Sequence, residues 1–259
     1  MDYELFKKQI FELSKIDLSS YKEKQMKRRI DSFINNSGFS NYYDYVKALK
    51  HNQPLYDGFI NHLTINVSEF YRNPEQWTIL EKEVLPLLLS KNKTLKIWSA
   101  ACSTGDEPYT LVMLLAKFMS LKNISIYATD IDKVVLEKAK HGIYNNKSIS
   151  NLPIDLKNKY FSLLNNHEYM ISKEVKACVE FRQHDLLKEI YPLNFDLIIC
   201  RNVLIYFTEE AKNEIYQKFS NSLKEEGFLF VGSTEQIMSF SNFNLKPFKT
   251  FFYRKTTPE

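Results

Sequence analysis

The segment that constrains the fold most is residues 95–109, which read LKIWSAACSTGDEPY. Its apolar start predicts a buried strand, its small residues predict a tight loop, and Pro108 predicts the start of a helix. A second apolar run, residues 124–130, follows and ends on the carboxylate of Asp130. This arrangement is typical of doubly wound α/β proteins that bind a nucleoside, in which the terminal acid accepts hydrogen bonds from ribose hydroxyls.

The loop in this segment does not suit a dinucleotide. A pyrophosphate site needs Gly-x-Gly-x-x-Gly so that bare backbone can approach the phosphates. Here only Gly105 is present, and Asp106 and Glu107 follow it directly. Two carboxylates would repel a pyrophosphate but suit a cationic ligand such as S-adenosylmethionine, which carries an ammonium, a sulfonium and no phosphate. The alternative is that both acids only stabilise the start of the helix.

Composition and cysteine usage exclude several classes of protein. Of the 259 residues, 44% are hydrophobic and 14% aromatic, so we expect a packed core. No apolar run reaches the roughly 18 residues of a membrane span, and no signal peptide is visible. The three cysteines and five histidines show neither disulfide nor metal-ligand spacing. We therefore expect a cytoplasmic protein without a metal and without membrane insertion.

The first 65 or so residues carry the pattern of a helical module. Apolar residues recur at steps of three and four, which predicts helices over 3–16, 21–37, 40–50 and 54–63. Ser40 is the expected N-cap of the third helix. Asn73 and Pro74 predict a further helix to about residue 89, with Asn73 as its cap. We predict an N-terminal helical domain with its linker over residues 1–73 and a second domain over residues 74–259.

The second domain reads as alternating strands and helices, which indicates a parallel sheet with crossover helices. The predicted strands are 94–100, 124–131, 195–202 and 228–232, and the predicted helices are 108–121, 132–141 and 208–223. Residues 249–254 suggest a last, antiparallel strand. The middle region, about 143–182, holds a helix (153–164) and two strand-like runs (168–171 and 177–181), from which we predict a small antiparallel β excursion. The fold class is therefore α/β, a doubly wound Rossmann-like sheet with an N-terminal all-helical domain.

Positive charge is concentrated on one predicted helix, residues 21–34. Lysines and arginines crowd its outer face, while apolar residues run through it at helical spacing. The basic residues are Lys22, Lys24, Lys27, Arg28 and Arg29. Such a face either is simply solvated or binds an anionic partner, an acidic protein or a nucleic acid.

Four motifs in order resemble those of the chemotaxis receptor methyltransferases of the CheR type. They are LTINVSEFYR (63–72), WSAACSTGDEPY (98–109), ATDID (128–132) and FDLIICRNVLIYF (195–207). The likeness covers essentially the whole chain. It implies a cytoplasmic enzyme with a Rossmann-like S-adenosylmethionine-dependent catalytic domain. This enzyme would transfer the methyl group to glutamate carboxylates of chemoreceptor cytoplasmic domains, leaving S-adenosylhomocysteine. The basic helix would face the acidic helical receptor, and we expect a monomer that does not bind nucleic acid.

The resemblance also implies roles for individual residues. Glu107 would hold the methionine ammonium and Asp130 the ribose hydroxyls. Arg72 and Tyr206 would lie closest to the transferred methyl group and are the candidate catalytic residues. The other implied cofactor-binding residues are Asn66, Ser68, Asp185, Leu186, Asn202 and Val203.

Two positions depart from the family pattern. Asp185 stands where the family usually has Asn, which would alter the contact with adenine. The usual Gly-His-Ser-Glu near the C-terminus is Gly-Ser-Thr-Glu at 232–235, so any role of that histidine is absent.

The implied chemistry agrees with the absence of a paired base and nucleophile. A glutamate carboxylate, with a pKa of about 4.3, is already ionised at neutral pH and needs no general base. The enzyme must instead align oxygen, methyl carbon and sulfur in a site with little water. Arg72 could orient the carboxylate through a bidentate contact. Cys102 has no base in view that would make it a nucleophile.

Two other functions remain open on sequence grounds. A nucleic-acid methyltransferase would use the basic helix for phosphates, but Arg201-Asn-Val-Leu stands where such enzymes commonly carry Asn/Asp-Pro-Pro-aromatic. A non-catalytic protein could keep the fold and only sense the cofactor, although Asn66, Arg72, Glu107 and Asp130 are all present. Individually, Arg72 could bridge the domains structurally and Tyr206 could be a core aromatic residue.

Overall fold

A computed structural model describes residues 1–257. Within it the chain forms two compact units, residues 1–66 with 204–214, and residues 67–203 with 215 onward. The short segment 204–214 therefore packs with the N-terminal helices, far from it in sequence. The predicted domain division at residue 73 stays a prediction.

The first unit is helical, as its apolar periodicity predicts. Its helices are α1 (Tyr3–Ser14), α2 (Glu23–Asn36), α3 (Tyr42–Leu49) and α4 (Gln53–Thr64). The predicted N-cap of α3 is wrong by one residue, because Asn41, not Ser40, accepts the hydrogen bond from the Asp44 amide. Phe59 is fully buried at the centre, with its ring 5.4 Å from that of Tyr45 and 6.3 Å from that of Phe6.

The second unit alternates helices and strands. A broken helix comes first, with α5 (Pro74–Ile79), a π-helical turn (Leu80–Val84) and α6 (Leu85–Lys91). The remaining helices are α7 (Asp106–Leu115), α8 (Lys133–His141), α9 (Ile154–Tyr160), α10 (Lys173–Lys176) and α11 (Glu209–Ser222), whose first residues belong to the first unit. The strands are β1 (Ile97–Ala100), β2 (Ile126–Asp130), β3 (Ile143–Asn145), β4 (Phe161–Asn165), β5 (Glu168–Ile171), β6 (Val179–Gln183), β7 (Phe195–Cys200), β8 (Leu223–Val231), β9 (Leu245–Lys249) and β10 (Phe252–Lys255).

Seven of these strands form the main sheet, in the order β6-β2-β1-β7-β8-β10-β9. Strands β6, β2, β1, β7 and β8 are parallel, and β10 and β9 close the edge in antiparallel pairs. A separate three-stranded antiparallel sheet has the order β3-β5-β4. The predicted α/β class, helical N-terminal region and small antiparallel sheet are thus confirmed.

Some predicted elements differ from those observed. The run 177–181 does not join the small sheet, because β6 pairs parallel with β2 at the edge of the main sheet. Helix α7 begins at Asp106, before Pro108. Strand β9, which the sequence analysis did not predict, precedes the predicted last strand and pairs with it. Asn73 occupies the cap position of α5 but makes no side-chain capping hydrogen bond.

Candidate functional site

The topology of the main sheet marks one edge as a binding site. From β1 the chain builds outward to β2 and β6, and then returns to place β7 on the other side of β1. In doubly wound sheets a ligand crevice lies at the carboxyl ends of the strands where the order reverses. The loop 101–105 follows β1 and residues 201–203 follow β7, so both lie at this switch point.

The loop after β1 turns sharply through backbone of the left-handed region. Ala101 (φ 59°), Ser103 (φ 48°) and Gly105 (φ 88°) all have positive φ. A Cβ on Gly105 would lie 2.9 Å from the Cβ of Ala139, which explains why glycine stands here. The conformation aims the Ser103 amide at Asp130, whose Oδ2 accepts its hydrogen bond at 2.8 Å.

Asp130 is held rigidly at the end of β2. Its Oδ1 accepts a second hydrogen bond, from the Asp132 amide at 3.0 Å, and the side chain is buried. Burial raises the pKa of Asp130 to about 6, against the lowering effect of these two amides. Two bonds leave further lone pairs on the carboxylate for a ligand. The Ser103 hydroxyl beside it is buried and has no hydrogen-bond partner within the described residues.

Glu107 supplies a second carboxylate, in the first turn of α7, with its side chain 14% exposed. Its Oε1 accepts a hydrogen bond from the Ser99 hydroxyl on β1 at 2.9 Å, and its Oε2 lies 3.7 Å from Nη1 of Arg201. Burial raises the pKa of Glu107 to about 7, although Arg201 and Ser99 both lower it. The negative charge is thus incompletely compensated by the protein, which is the condition a cationic ligand would relieve.

Arg201, which directly follows β7, is a site residue that the sequence analysis missed. It is 8% exposed, and its guanidinium lies over the rings of Trp77 (5.3 Å) and Phe230 (4.8 Å). Its Nη2 donates to the backbone oxygen of Arg72 (2.9 Å), Asn73 Oδ1 (3.0 Å) and Gln76 Oε1 (2.8 Å). The sequence feature that could have identified Arg201 is a single charged residue directly after an apolar strand, at the same edge of the sheet as Asp130.

A second missed residue, Glu235, shapes the backbone at Asn202. One oxygen of Glu235, Oε2, accepts hydrogen bonds from the amides of Asn202 (2.6 Å) and Gly232 (2.8 Å). Asn202 has a φ of 61°, and its Oδ1 is buried without a partner within the described part of the chain. Glu235 is the last residue of the Gly-Ser-Thr-Glu run, so the departure from the family at Ser233 leaves this support intact.

The predicted residues Ser68 and Arg72 lie on the segment that precedes α5. Arg72 is partly exposed, and its Nη1 donates to the Val67 carbonyl at 3.3 Å. Its two neighbours, Tyr71 (φ 57°) and Asn73 (φ 59°), both have left-handed backbone. Burial raises the pKa of Asp106 to about 6, and hydrogen bonds including one from Ser68 oppose that rise.

Asp185 and Leu186 follow β6, where the His184 amide donates to the Asp130 carbonyl at 2.9 Å. Leu186 is buried. Asp185 Oδ1 accepts a hydrogen bond from the Leu187 amide at 2.9 Å, a local turn that an asparagine oxygen would form equally well. The departure from the usual Asn therefore leaves the backbone geometry of this turn unchanged.

The structure groups the predicted site residues into two sets. Residues 68, 72, 107, 130, 185, 186, 202 and 203 belong to the second unit, whereas Asn66 and Tyr206 belong to the first. The side chain of Asn66 donates to the Thr64 hydroxyl at 2.7 Å. Tyr206 lines a cleft of about 550 Å³ within the first unit, together with Lys22, Gln25, Met26, Arg28, Arg29, Ser32, His62 and Ile65.

Other chemistry at the site is limited. Cys102 is buried, and burial raises the pKa of its thiol well above the ordinary range, so a thiolate nucleophile is disfavoured. Within residues 1–257 no cluster of histidine, cysteine and acidic side chains could hold a metal ion. In the same range no helix has the length and apolarity needed to cross a membrane.

The fold and the site define a class: an α/β protein with the carboxylates of Glu107 and Asp130 at the switch point and no glycine-rich phosphate loop. Comparison with known families is more specific. Residues 66–251 match the family described as "CheR methyltransferase, SAM binding domain", and residues 1–64 match "CheR methyltransferase, all-alpha domain".

Curated relatives named "Chemotaxis protein methyltransferase" are similar over most of their length. The relative from Listeria innocua is 43% identical, covering 93% of this chain and 92% of its own. That from Borreliella burgdorferi is 35% identical, with 93% and 89% covered, and that from Escherichia coli is 33% identical, with 87% and 81% covered. The chain belongs to the CheR methyltransferase family, and the second unit carries its S-adenosylmethionine-binding domain.

Proposed function

We propose that this protein transfers the methyl group of S-adenosylmethionine to glutamate carboxylates of chemoreceptor cytoplasmic domains, as a monomer in the cytoplasm. The observation that carries the proposal is the pair of carboxylates at the switch point of the sheet, buried Asp130 and the mostly enclosed Glu107, both with a raised pKa. The protein compensates their negative charge only in part, so the site suits a cationic nucleoside. The names of the curated relatives support chemotaxis as the setting.

The residues around the switch point fit S-adenosylmethionine group by group. Glu107 is the acceptor for the ammonium of the methionine portion. Asp130 and the unpartnered Ser103 hydroxyl suit the ribose hydroxyls, and the unpartnered Oδ1 of Asn202 suits a further donor. We assign the adenine to Asp185 and Leu186. Val203, Ser68, Asn66 and Tyr206 stay predictions that rest on the family motifs.

The protein groups account for the reaction without a base. S-adenosylmethionine supplies a methyl group on a positively charged sulfur, the electrophile of the transfer. A glutamate acceptor is ionised at neutral pH, so no residue has to remove a proton. Arg72 is partly exposed and its Nη2 makes no hydrogen bond to a described residue, so its guanidinium can orient an incoming carboxylate. Buried Leu186 and the apolar core beneath the site keep water away from the reacting atoms.

The test of the reaction uses methyl-labelled S-adenosylmethionine and a chemoreceptor cytoplasmic fragment. We expect label on the fragment that leaves as methanol in mild base, which identifies a carboxyl methyl ester. Arg72→Ala should lose most of this transfer. Arg182→Ala is the matched control, because Arg182 is an exposed arginine of the same unit that pairs with Glu180 on β6. Base-stable label, or label on nucleic acid instead, would contradict the proposal.

The basic helix supports the receptor assignment, with one correction to the sequence analysis. Arg29 is not part of the free basic surface, because its Nε and Nη2 donate to the His62 carbonyl at 2.9 and 2.7 Å. Lys24 and Arg28 are exposed on α2 and are available to an acidic partner. We propose that these two residues dock the receptor.

Reversing both charges, Lys24→Glu with Arg28→Glu, should raise KM for the receptor fragment by about tenfold, because electrostatic steering is lost. The control is Lys47→Glu with Lys50→Glu, the same charge change on two exposed residues, one in the last turn of α3 and one directly after it. Affinity for S-adenosylhomocysteine should be unchanged in both. A drop in that affinity, or equal effects of the two pairs on KM, would remove Lys24 and Arg28 from the docking surface.

A further inference from the structure

Arg201 touches both of the groups on which the proposed reaction depends. One nitrogen, Nη1, lies 3.7 Å from the Glu107 carboxylate. The other, Nη2, donates to the backbone oxygen of Arg72 and to the side chains of Asn73 and Gln76.

We propose that Arg201 is a positioning residue with two tasks: its charge keeps Glu107 ionised for the ligand ammonium, and its fork fixes the segment that presents Arg72. The inference rests on the proposed function, since it assigns Glu107 and Arg72 their roles in that reaction. It adds a residue that touches neither the ammonium nor the acceptor in this scheme.

The first task follows from electrostatics in a buried site. Burial and the nearby Glu235 carboxylate favour the protonated form of Glu107, whereas Arg201, Ser99 and Arg72 favour the ionised form. The resulting pKa of about 7 leaves half of the molecules charged at neutral pH. A positive charge at this distance lowers a carboxyl pKa by about 1 to 3. Arg201 is therefore what keeps the ionised fraction of Glu107 substantial at pH 7.

The second task follows from the backbone around Arg72. Tyr71 and Asn73 both have positive φ, which costs a non-glycine residue about 1 kcal/mol or more each. Surrounding contacts must hold such a segment in place. Arg201 supplies three such contacts, as hydrogen bonds to the Arg72 carbonyl and to the side chains of Asn73 and Gln76. Because the Asn73 side chain accepts from Arg201, it does not cap α5.

The test measures binding of two ligands that differ at one end. S-adenosylhomocysteine carries the amino acid portion, whereas 5′-methylthioadenosine has the adenosine and sulfur but no ammonium. Arg201→Met keeps a long apolar side chain between Trp77 and Phe230. The matched control is Arg254→Met, since Arg254 also lies near a phenylalanine of β8 (Phe228, 5.9 Å) and pairs with a carboxylate (Glu226, 2.7 Å).

In Arg201→Met the pKa of Glu107 should rise by about 1, which weakens S-adenosylhomocysteine binding roughly fivefold at pH 7. At pH 8.5 Glu107 is largely ionised in both proteins, and the difference should shrink to less than about twofold. Binding of 5′-methylthioadenosine and the Arg254→Met variant should show neither effect. No acceptor protein is present, so the result is independent of whether receptor glutamates are the substrate.

Arg201→Lys separates the second task from the first. Lysine keeps the charge near Glu107 but lacks the fork that reaches three acceptors. The pH profile of S-adenosylhomocysteine binding should therefore stay as in the wild type, while kcat for the receptor fragment falls by about tenfold or more. This variant also serves if Arg201→Met fails to fold.

Three results would overturn the proposal. One is a folded Arg201→Met protein with unchanged discrimination between the two ligands at pH 7. Another is a loss of S-adenosylhomocysteine affinity that is equal at pH 7 and pH 8.5, which indicates general damage to the structure. The third is wild-type kcat in Arg201→Lys.

Discussion

Replacing Gly232 with alanine tests the junction that supports Asn202. An ideal Cβ at this position would lie 2.5 Å from Glu235 Oε2, 2.6 Å from the Asn202 nitrogen and 3.1 Å from Asn202 Cγ. Ordinary contacts of a Cβ begin near 3.4 Å, so at least one neighbour must move. The Asn202 nitrogen is backbone in a left-handed conformation, and it cannot shift without disturbing the loop after β7.

The magnitude follows from two costs. Forcing a methyl group into a packed site costs about 1–3 kcal/mol. Moving Glu235 also weakens its hydrogen bonds from Asn202 and Gly232, each of which contributes about 1–3 kcal/mol when the acceptor is charged. We expect partial relaxation and a total of about 2–4 kcal/mol, which lowers Tm by about 5–15 °C for a unit of this size. Affinity for S-adenosylhomocysteine should fall as well, because Asn202 is displaced.

The assay is thermal and urea unfolding of Gly232→Ala beside Gly58→Ala. Gly58 lies inside α4 with ordinary φ, and the nearest atom to a Cβ there is Phe33 Cζ at 3.9 Å. Gly58→Ala should therefore raise the free energy of unfolding by about 0.5–1 kcal/mol, because alanine has a higher helix propensity than glycine. If Gly232→Ala unfolds like the wild type or like Gly58→Ala, the reasoning about this junction is wrong.

Three further predictions concern stability. Without ligand, the pKa of Glu107 is raised from its ordinary 4.5 to about 7, so its contribution to the free energy of unfolding should fall by on the order of 3 kcal/mol as pH rises from about 4.5 to 7. In urea titrations, Glu107→Gln should lose this dependence on pH. A stability difference between Glu107→Gln and the wild type that is constant with pH would contradict the prediction. Arg29→Ala should lower the free energy of unfolding by about 1–3 kcal/mol, because the His62 carbonyl at the end of α4 loses its two donors. The control, Arg28→Ala at an exposed position, should change the free energy of unfolding in urea by less than about 0.5 kcal/mol. Asp196→Ala should lower the free energy of unfolding by about 1–3 kcal/mol, because the Lys96 amide, which donates to this buried carboxylate at 2.8 Å, loses its acceptor; a loss below about 0.5 kcal/mol in thermal unfolding would refute this.

The local features of the site were readable from sequence because each depends on neighbouring residues. The strand that ends at Asp130 and the loop at Gly105 follow from apolar periodicity and from the need for positive φ in a tight turn. The carboxylate of Glu107 follows Gly105 by two residues, so its place in the first turn of a helix was set by the same signal.

The errors of the sequence analysis arose where a distant residue decides the outcome. Asn73 has the sequence context of an N-cap, yet its oxygen accepts from Arg201, which is 128 residues away. Arg29 has the spacing of an exposed basic face, yet it bonds to the carbonyl of His62. Residues 177–181 were predicted to belong to the small antiparallel sheet, but strand β6 instead pairs with the edge of β2 in the main sheet.

By itself, the sequence determined the α/β class, the helical N-terminal region, the positions of two carboxylates after β1 and at the end of β2 and, through its motifs, the CheR methyltransferase family. Tertiary structure alone decided that Arg201 joins Glu107 to the Arg72 segment and that Glu235 holds Asn202. Apolar periodicity and turn preferences depend on residues that are neighbours in the chain, so they can be identified directly along the sequence. Ion pairs and hydrogen bonds between elements depend on which strand ends meet at the switch point, and only the folded sheet brings those ends together.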